Sequence, residues 1–305
     1  MTDTNSGKES SILGIPQCMK KICMFLVLLF STLIPYAQKI AGKLLFQPGQ
    51  IYNITLELKT TVSQEAGGSA IDFIANGNAM HSFKITNATD NNSTLHHDVK
   101  KISFNFDGMG QKRSFDSDNP KDLDGFFGKP VKDILSKSYD MIIDPAGKTL
   151  LVKPEKIELA KTDDRLGIVL NLLKDVTNIV YPPKRNEPSF FKVLPETETG
   201  VNESWTESGA DSNGVFKTVY TLSAITDSTV IVDFKGNSSF VTKGEVMGMQ
   251  TSTTMNNAYT GTVIIDKATG IIREKTINTT SNGATEAMGG TMPVTSKTTM
   301  VIKVR

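Results

Sequence analysis

The hexapeptide Ile54-Thr55-Leu56-Glu57-Leu58-Lys59 alternates strictly between apolar and polar side chains. Successive side chains of a β-strand point to opposite faces, so this pattern predicts a strand with one face in a core and the other in water. Residues 101–106 repeat the pattern, and residues 83–86 and 300–305 follow it more loosely. Parallel strands are apolar on both faces, so clean alternation favours an antiparallel sheet with one solvated side.

Short polar segments that contain glycine lie between these alternating segments. Glycine supplies positive φ angles, while Asn, Asp and Pro preset or cap turns, so a meander of hairpins is the simplest topology. The predicted turns are Asn76-Gly77-Asn78, Asp107–Gly110, Asp144–Gly147, Ser212–Gly214, Lys267–Gly270 and Ser281–Gly283.

Two segments have a helical pattern instead. Lys129–Leu135 has a proline where the first turn of a helix tolerates it, followed by apolar residues that share one face. Asp163 to about Val180 places apolar residues at steps of three and four, which predicts an amphipathic helix with one face to bury. Tyr181-Pro182-Pro183 ends this helix, and the stretch to Pro195 is predicted to be a linker that wraps over the surface.

The chain therefore divides into an upstream tail with a signal peptide (1–37), a first β unit with a short helix (38–160), a helix and linker (161–195) and a second β unit (196–305). The two β units share an internal similarity, because Met141–Leu151 resembles Val263–Arg273 and Phe83–Asp90 resembles Tyr220–Asp227, in the same order. Duplication and ordinary turn chemistry both explain this similarity, so both remain open. The two units form either separate domains or one.

We expect a mainly β fold: a curved antiparallel sheet, half-barrel or open barrel, with two helical segments packed on or over it. The predicted helix and the Phe126-Phe127 pair would cover the apolar concave face. Two adjacent aromatic residues between glycines either pack on a sheet or gate a cavity. The candidate contacts for an apolar ligand are Phe126, Phe127, Leu166, Leu170 and Leu173.

Residues 19–37 have the pattern of a secretory signal. Met19-Lys20-Lys21 forms a positive region, residues 22–34 an apolar run of 13 residues, and Ala37-Gln38 the predicted cleavage site. The run is shorter than the ~20 residues of a membrane-spanning helix, so no stable transmembrane anchor is expected. We predict a periplasmic or secreted protein, with Met19 as the true start of the chain.

Charge and cysteine content exclude several classes of protein. Residues 1–37 contain three lysines and two acidic residues, which leaves 30 basic and 30 acidic residues from Gln38 onward. A balanced charge does not suit nucleic-acid binding, which requires a basic surface. Cys18 and Cys23 leave with the signal, so the mature chain has no disulfide and no thiolate metal site. Position 38 is Gln, which argues against a lipid-modified cysteine anchor.

The sequence contains no recognisable catalytic or metal-binding pattern. His96 and His97 point to opposite faces of a strand, whereas His96 and Asp98 share one face. Two ligands are too few for a zinc site, so His81, His96 and His97 are interpreted as polar residues on a solvated strand face. No cofactor is expected, and a hydrolase remains the least favoured hypothesis because its residues would have to come together from distant segments.

Several structural motifs resemble an uncharacterised family of exported bacterial proteins of the Bacteroidota type. They are the lysine-containing signal ending in Tyr36–Lys39, Gly49-Gln50-x-Tyr52, Leu194-Pro195 followed by Gly200–Thr206 around Trp205, and Val263–Gly270. The resemblance spans most of residues 38–305 and brings no catalytic residue. Asn202–Trp205 departs from the Gly-Asp-Ser-Trp type of opening expected there. By analogy of fold, the chain is similar to the half-barrels of periplasmic lipid and lipoprotein carriers.

Two functions follow as hypotheses. The first is a non-enzymatic, exported binding protein for an apolar ligand or lipid, and the second is a structural or interaction protein that contacts a partner in the cell envelope. An apolar concave site favours the first hypothesis, whereas a filled core with a flat exposed apolar patch favours the second.

Overall fold

Long strands dominate the structure, a computed structural model that describes residues 38–66, 69–108, 110–159, 174, 176–210, 214–246, 249–287 and 290–305. Strands make up 65% of these residues. They are β1 Lys39–Ile40, β2 Ile51–Ala66, β3 Ser69–Ala88, β4 Ser93–Gly108, β5 Gln111–Asp116, β6 Ser138–Ile143, β7 Thr149–Lys153, β8 Thr199–Gly200, β9 Ser204–Ala210, β10 Gly214–Ile225, β11 Thr229–Val246, β12 Met249–Asp266, β13 Ile272–Ala287 and β14 Gly290–Val304.

One antiparallel sheet contains all of these strands except β1 and β8, which pair with each other. Its order is β7-β6-β4-β3-β2-β14-β13-β12-β11-β10-β9, and β5 pairs with the outer part of β4. The sheet remains open, with β7 and β9 at its two edges. The predicted mainly β, antiparallel and open architecture is confirmed. The strictly alternating segment Ile54–Lys59 lies inside β2.

Two of the predicted turns are wrong. Asn76-Gly77-Asn78 lies within β3, and Ser281–Gly283 lies within β13. In both strands the glycine is paired across the sheet, with Leu58 in the first case and with Met255 in the second. Neither glycine therefore reverses the chain, and at Gly283 a Cβ would collide with the Thr254 carbonyl oxygen and the Met255 sulfur, so this glycine allows close packing on the sheet surface.

The two β units have the same strand order. Strands β2, β3, β4, β6 and β7 follow one another across the first half of the sheet, and β9 to β13 follow one another across the second. Strand β14 lies between the halves and pairs with β13 and β2. This shared order favours duplication over a chance similarity of turns, and the two units share one sheet.

The matching turns of the two units also have the same chemistry. Gly147 and Gly270 have positive φ angles of 83° and 72°. An aspartate begins each turn, Asp144 in the first and Asp266 in the second. Oδ1 of Asp144 accepts a hydrogen bond of 2.8 Å from the backbone N–H of Lys148, and Oδ1 of Asp266 accepts one of 2.8 Å from the backbone N–H of Thr269. Such side-chain caps preset the turn.

Two short helices lie between β5 and β6: α1, Pro120–Leu123, and α2, Gly128–Leu135. The predicted Lys129–Leu135 helix is confirmed by α2, which buries Pro130, Val131 and Ile134. Most of the predicted Asp163–Val180 helix lies outside the described residues. Of its C-terminal end, residues 174, 176 and 177 are helical and Asn178–Val180 forms a 3-10 turn.

The core lies on one face of the sheet, here called the inner face. Residues that pair across neighbouring strands continue this face from the first β unit to the second. In order across the sheet they are Leu56, Ile302, Lys275, Val263, Val232 and Leu222. Two clusters of buried side chains lie along it, and Val304 packs against both. Charged residues such as Glu57 and Lys59 occupy the opposite, outer face.

The irregular segment up to Pro195 is more deeply buried than predicted. Phe191 is fully buried, and Val193 and Leu194 pack on the inner face of the second unit. Phe191 lies edge-on to Phe83 with ring centroids 5.3 Å apart. The segment fills the core, so its interpretation as a surface linker is wrong.

Residues 38–305, which include both β units, form a single compact structural unit, and this compact unit begins at the predicted cleavage site. The signal segment itself, including Ala37, lies outside the described residues, whereas Gln38 is exposed at the start of them. Within the described ranges, no helix combines the length and apolar character needed to cross a membrane.

Candidate functional site

The structure separates the two phenylalanines that were predicted to contact a ligand. Phe127 packs edge-on against Phe104, with ring centroids 5.0 Å apart, and contributes to the core. Phe126 contacts Phe127 and is 54% exposed. Leu166, Leu170 and Leu173, the other predicted contacts, lie outside the described residues, so a joint site of these side chains stays a prediction.

The exposure of the inner face changes along the strands. On β10, Leu222 is fully buried, whereas Phe216, six residues away on the same face, is 46% exposed. On β11, Val232 is fully buried, whereas Phe240 is 36% exposed. One end of the face is therefore filled by the core, and the other end is covered much less.

Aromatic rings lie against glycines along this face, from the buried Phe234 (7% exposed) toward the half-exposed Phe216. The Tyr259 ring lies over Gly236 on the neighbouring strand, where a Cβ atom would come within 2.6 Å of the ring carbons. Without a Cβ beneath it, a ring can lie against the backbone and leave its other side open. We call this surface the aromatic–glycine patch. It consists of Phe216, Phe234 and Tyr259 with the glycines beneath them, Gly209, Gly261 and Gly236.

Lys275 lies beside the patch, on the inner face of β13. Its strand neighbours are Val263 and Ile302, both buried. The Lys275 ammonium lies 5.3 Å from the centre of the Phe234 ring, which gives a cation–π contact. Burial lowers the pKa of Lys275, and the negative charge of Glu207 partly opposes this shift. Sequence periodicity places an apolar residue here, so a lysine is unexpected.

A stacked pair of aromatic residues extends the patch toward the edge of the sheet. Trp205 on β9 stacks on Tyr220 with ring centroids 5.4 Å apart, and Tyr220 lies 5.7 Å from Phe234. Burial is the main cause that raises the pKa of Tyr220, and the negative charge of Glu207 adds to this shift. The indole Nε1 of Trp205 is buried and has no acceptor among the described residues.

Hydroxyl and amide groups at the margin of the patch, including the Tyr259 hydroxyl, bond to one another. Tyr259 and Thr218 share a hydrogen bond of 2.7 Å between their hydroxyls, and Asn257 donates to Ser238 at 2.9 Å. These groups are satisfied within the sheet. The patch therefore borders a polar surface whose groups already have partners.

His81 and His97 form a buried pair, so their interpretation as residues on a solvated face is wrong. Nε2–H of His81 donates to the carbonyl of Val176 at 3.0 Å, because a carbonyl only accepts. Nδ1 of His81 then accepts from Nε2–H of His97, also at 3.0 Å. Burial lowers the pKa of His81 to about 4 and that of His97 to about 3. Both rings are neutral, and the hydrogen bond from His81 holds the backbone of residue 176 against the sheet.

His96 occupies the outer face, as the alternation predicts. Its ring bonds to Asp140 at 2.7 Å and to Asp98 at 3.3 Å. All three side chains are at least one third exposed. Across the described ranges, no group of three or more His, Cys, Asp or Glu side chains is arranged to hold a metal ion.

Two shallow depressions elsewhere on the sheet have mixed linings, in which charged and amide side chains lie beside apolar ones. One, of about 390 Å³, includes Glu57, Lys59 and Asn78 of the outer face. The other, of about 440 Å³, lies near the β4–β5 hairpin beside Lys112 and Arg113. Charged and amide linings suit a hydrated surface better than an apolar ligand.

The sequence analysis missed Lys275 because of a β-bulge. The pairing shifts between Ile264–Glu274 and Ile265–Ile272, which leaves Arg273 as an extra residue. Ile272 and Lys275 therefore both face inward although they are three residues apart. Ile277 lies two residues beyond Lys275 and also faces inward. Its apolar side chain indicates from the sequence that Lys275 shares its face, but only if the bulge at Arg273 is recognised.

Residues 184–272 match a family model described as Family of unknown function (DUF6263). The predicted resemblance to an uncharacterised family is confirmed over this segment, which includes Trp205 and the strands β9 to β12. No curated protein sequence matches the chain.

Solved structures with some similarity include lipovitellin with its lipid–protein interactions, at 10% identity and a TM-score of 0.44. That alignment covers 86% of this chain but 26% of the lipovitellin chain. An outer membrane channel from Pseudomonas putida F1 aligns at 8% identity over 87% of this chain and 98% of the channel, with a TM-score of 0.27. The translocator domain of the autotransporter NalP from Neisseria meningitidis aligns at 7% identity over 93% and 95%, with a TM-score of 0.19. These scores are low, so fold and function rest on the residues of this chain.

Proposed function

We propose that the protein is an exported, non-enzymatic binding protein that holds an apolar or amphipathic ligand against the aromatic–glycine patch. The observation that carries this proposal is the change of exposure along one face of the same strands, from Leu222, fully buried, to Phe216, 46% exposed. Large apolar groups that remain exposed on a concave or open face are typical of binding sites. Covering them with a ligand removes apolar area from water, which stabilises the complex.

The chain offers a built-in reporter for this test. Trp205 is the single tryptophan of the sequence, and it stacks on Tyr220 at the margin of the patch. A brominated fatty acid bound over the patch is expected to quench the Trp205 fluorescence in a saturable way. An unbrominated fatty acid should then compete and restore the signal.

Matched variants on opposite faces of β10 locate the ligand. Phe216→Ser removes an inner-face ring, whereas Val215→Ser changes an outer-face side chain that is 56% exposed. Burying a whole phenylalanine ring is worth about 1.5–3 kcal/mol, and the ligand can cover only the exposed half of Phe216, so Phe216→Ser should weaken binding about threefold to tenfold. Val215→Ser should bind as the wild type does. Equal weakening in both variants, or no quenching at all, would refute a ligand site on this face.

The export part of the proposal rests on residues 19–38 and on the start of the compact unit at Gln38. Fractionation of cells that produce the full chain should place it outside the cytoplasm, with an N-terminus near Gln38. A cytoplasmic protein that retains residues 22–34 would contradict export.

The filled core together with an exposed apolar patch is what the interaction hypothesis expects, and this hypothesis has further support from the same end of β10 and β11. Val215 and Val241 are exposed on the outer face beside Phe216 and Phe240 on the inner face, so apolar groups lie on both faces there. A protein contact at this end would be weakened equally by Val215→Ser and Phe216→Ser. The two variants thus separate a partner surface from a one-sided ligand site.

A further inference from the structure

We infer that Lys275 binds the acidic head of the ligand, so that the site takes a single-chain amphipathic anion with a carboxylate or phosphate head. The apolar chain would then lie on the aromatic–glycine patch. This inference rests on the proposed function and specifies the chemistry of its ligand.

The first argument is the lack of a partner for the Lys275 charge. Among the described residues, no carboxylate lies within 4.0 Å of its ammonium and no hydrogen bond involves it. The side chain is partly buried, but its ammonium is not sealed from solvent, so an anion can reach it. The cation–π contact with Phe234 places the ammonium over the ring and leaves its charge without an anionic partner.

The second argument is that the fold does not need a lysine at this position. Val263 and Ile302 flank Lys275 on the inner face, and both are buried apolar residues. An apolar side chain would continue the core without any cost of burying a charge. A charge kept in such a place is expected where it binds something that the free protein lacks.

The third argument is a second donor without a partner. The indole N–H of Trp205 is buried and unpaired in the described part of the chain, which is unusual for a buried donor. Ring contacts connect it to Lys275 through Tyr220 and Phe234, at 5.4, 5.7 and 5.3 Å in turn. Both donors lie on the inner face but two rings separate them, so the head bound by Lys275 is not shared with Trp205; the unpaired indole N–H is a second donor on this face.

Glu207 explains why the site is not a general anion site. Its negative charge partly opposes the lowering of the Lys275 pKa and adds to the raising of the Tyr220 pKa, so it lies near both side chains. A small hydrated anion would have to lose its water near this carboxylate with no apolar contact in return. A long-chain anion gains the contact of its chain with the patch, which favours amphipathic ligands.

The test compares palmitate, hexadecyl phosphate and hexadecanol by isothermal titration calorimetry. These ligands share a saturated chain and differ in the head, so the alcohol reports chain binding alone. The wild type should bind at least one of the two anions about tenfold or more tightly than the alcohol. A preference for palmitate alone identifies a carboxylate head, and one for hexadecyl phosphate alone identifies a phosphate head.

Three variants assign this preference to Lys275. Lys275→Met should abolish the preference for anions and leave hexadecanol binding unchanged, and Lys275→Arg should retain the preference. The matched control is Lys235→Met on the outer face of β11, next to Phe234, and it should behave as the wild type. Lys275→Met is expected to unfold at the wild-type temperature or above it, because it removes an unpaired charge.

Lys275→Gln gives an independent measurement, because it keeps a polar side chain and removes the charge. The preference for anions should fall severalfold, with hexadecanol binding unchanged. Should Lys275→Met fail to fold, an unchanged preference in Lys275→Gln would overturn the inference.

The possible failures are distinct. If the wild type binds all three ligands equally, or if Lys275→Met keeps the preference for anions, the inference is wrong and the proposed function stands. If none of the three ligands binds, the proposed function fails and the inference fails with it.

Discussion

At the scale of single residues, the buried histidine pair makes the stability of the fold depend on pH. His81 and His97 bond to each other, and His97 stacks on Tyr139 with ring centroids 4.5 Å apart. Burial lowers the pKa of each imidazole from 6.5, to about 4 for His81 and to about 3 for His97. Below pH 6.5 the unfolded chain therefore binds protons at these two histidines, whereas the folded protein does not.

This difference predicts the direction of the pH dependence. The contribution of the pair is complete above pH 6.5 and is lost as the pH falls toward 4, because only the unfolded state gains protons in that window. At 1.36 kcal/mol per pH unit and per histidine, the free energy of unfolding should fall by roughly 4 kcal/mol between pH 7 and pH 5. Urea unfolding at several pH values measures this slope.

Two variants assign the slope to the pair. His97→Phe keeps a ring between Phe83 and Tyr139 and should remove about half of the loss between pH 7 and pH 5. His96→Gln, on the outer face, should keep the wild-type slope. A wild-type stability that is flat between pH 7 and pH 5 would show that the pair is not buried and neutral.

At the scale of secondary-structure elements, β-bulges decide which side chains face the core. In β4 the pairing skips Lys100, so that His97 and Val99 face inward before it and Ile102 and Phe104 after it. The Lys100-Lys101 pair is visible in the sequence as a break in the alternation. A bulge and a strand end give the same break, so the sequence alone did not separate them.

The glycines beneath the aromatic rings give a prediction at this scale. A methyl group on Gly261 would collide with the carbonyl oxygen of Thr276 and with the Phe234 ring. Gly261→Ala should therefore lower the free energy of unfolding by about 1–3 kcal/mol. Gly244→Ala on β11 is the matched control, since a Cβ there lies 3.5 Å from its nearest neighbour, Oγ1 of Thr251. Its stability should stay within about 0.5 kcal/mol of the wild type in guanidinium unfolding.

Equal effects of these two substitutions would mean that the rings do not press against the backbone. In that case the aromatic–glycine patch would not have the flat shape on which ligand binding depends.

At the scale of the whole molecule, one sheet and the shared contacts of Val304 predict a single cooperative unfolding transition. Leu56→Ala in the first unit and Ile265→Ala in the second each remove a buried side chain, at a cost of about 2–5 kcal/mol. Both should shift the same transition, measured by Trp205 fluorescence and by circular dichroism. Two separate transitions, or a Trp205 fluorescence midpoint that is unchanged in Leu56→Ala, would show that the units unfold separately.

The sequence predicted the sheet because alternation and turn residues are local signals. Ile54–Lys59 and α2 were found in this way. The burial of Phe191 and of the histidine pair depends on segments far apart in the chain, such as the bond of His81 to residue 176. No local pattern encodes such contacts. Lys275 was missed for the related reason that a bulge changes which residues share a face.

Strand β14 comes after all strands of both units in the chain, yet it lies between β2 and β13 in the sheet. Each meander can therefore emerge from a ribosome or a translocation pore before the strand that joins them is available. During that interval the edges of β2 and β13 are unpaired, and such edges are templates for pairing with other chains. The slot between them also accepts β14 from a second copy, so domain-swapped dimers are the characteristic misassembly of this topology.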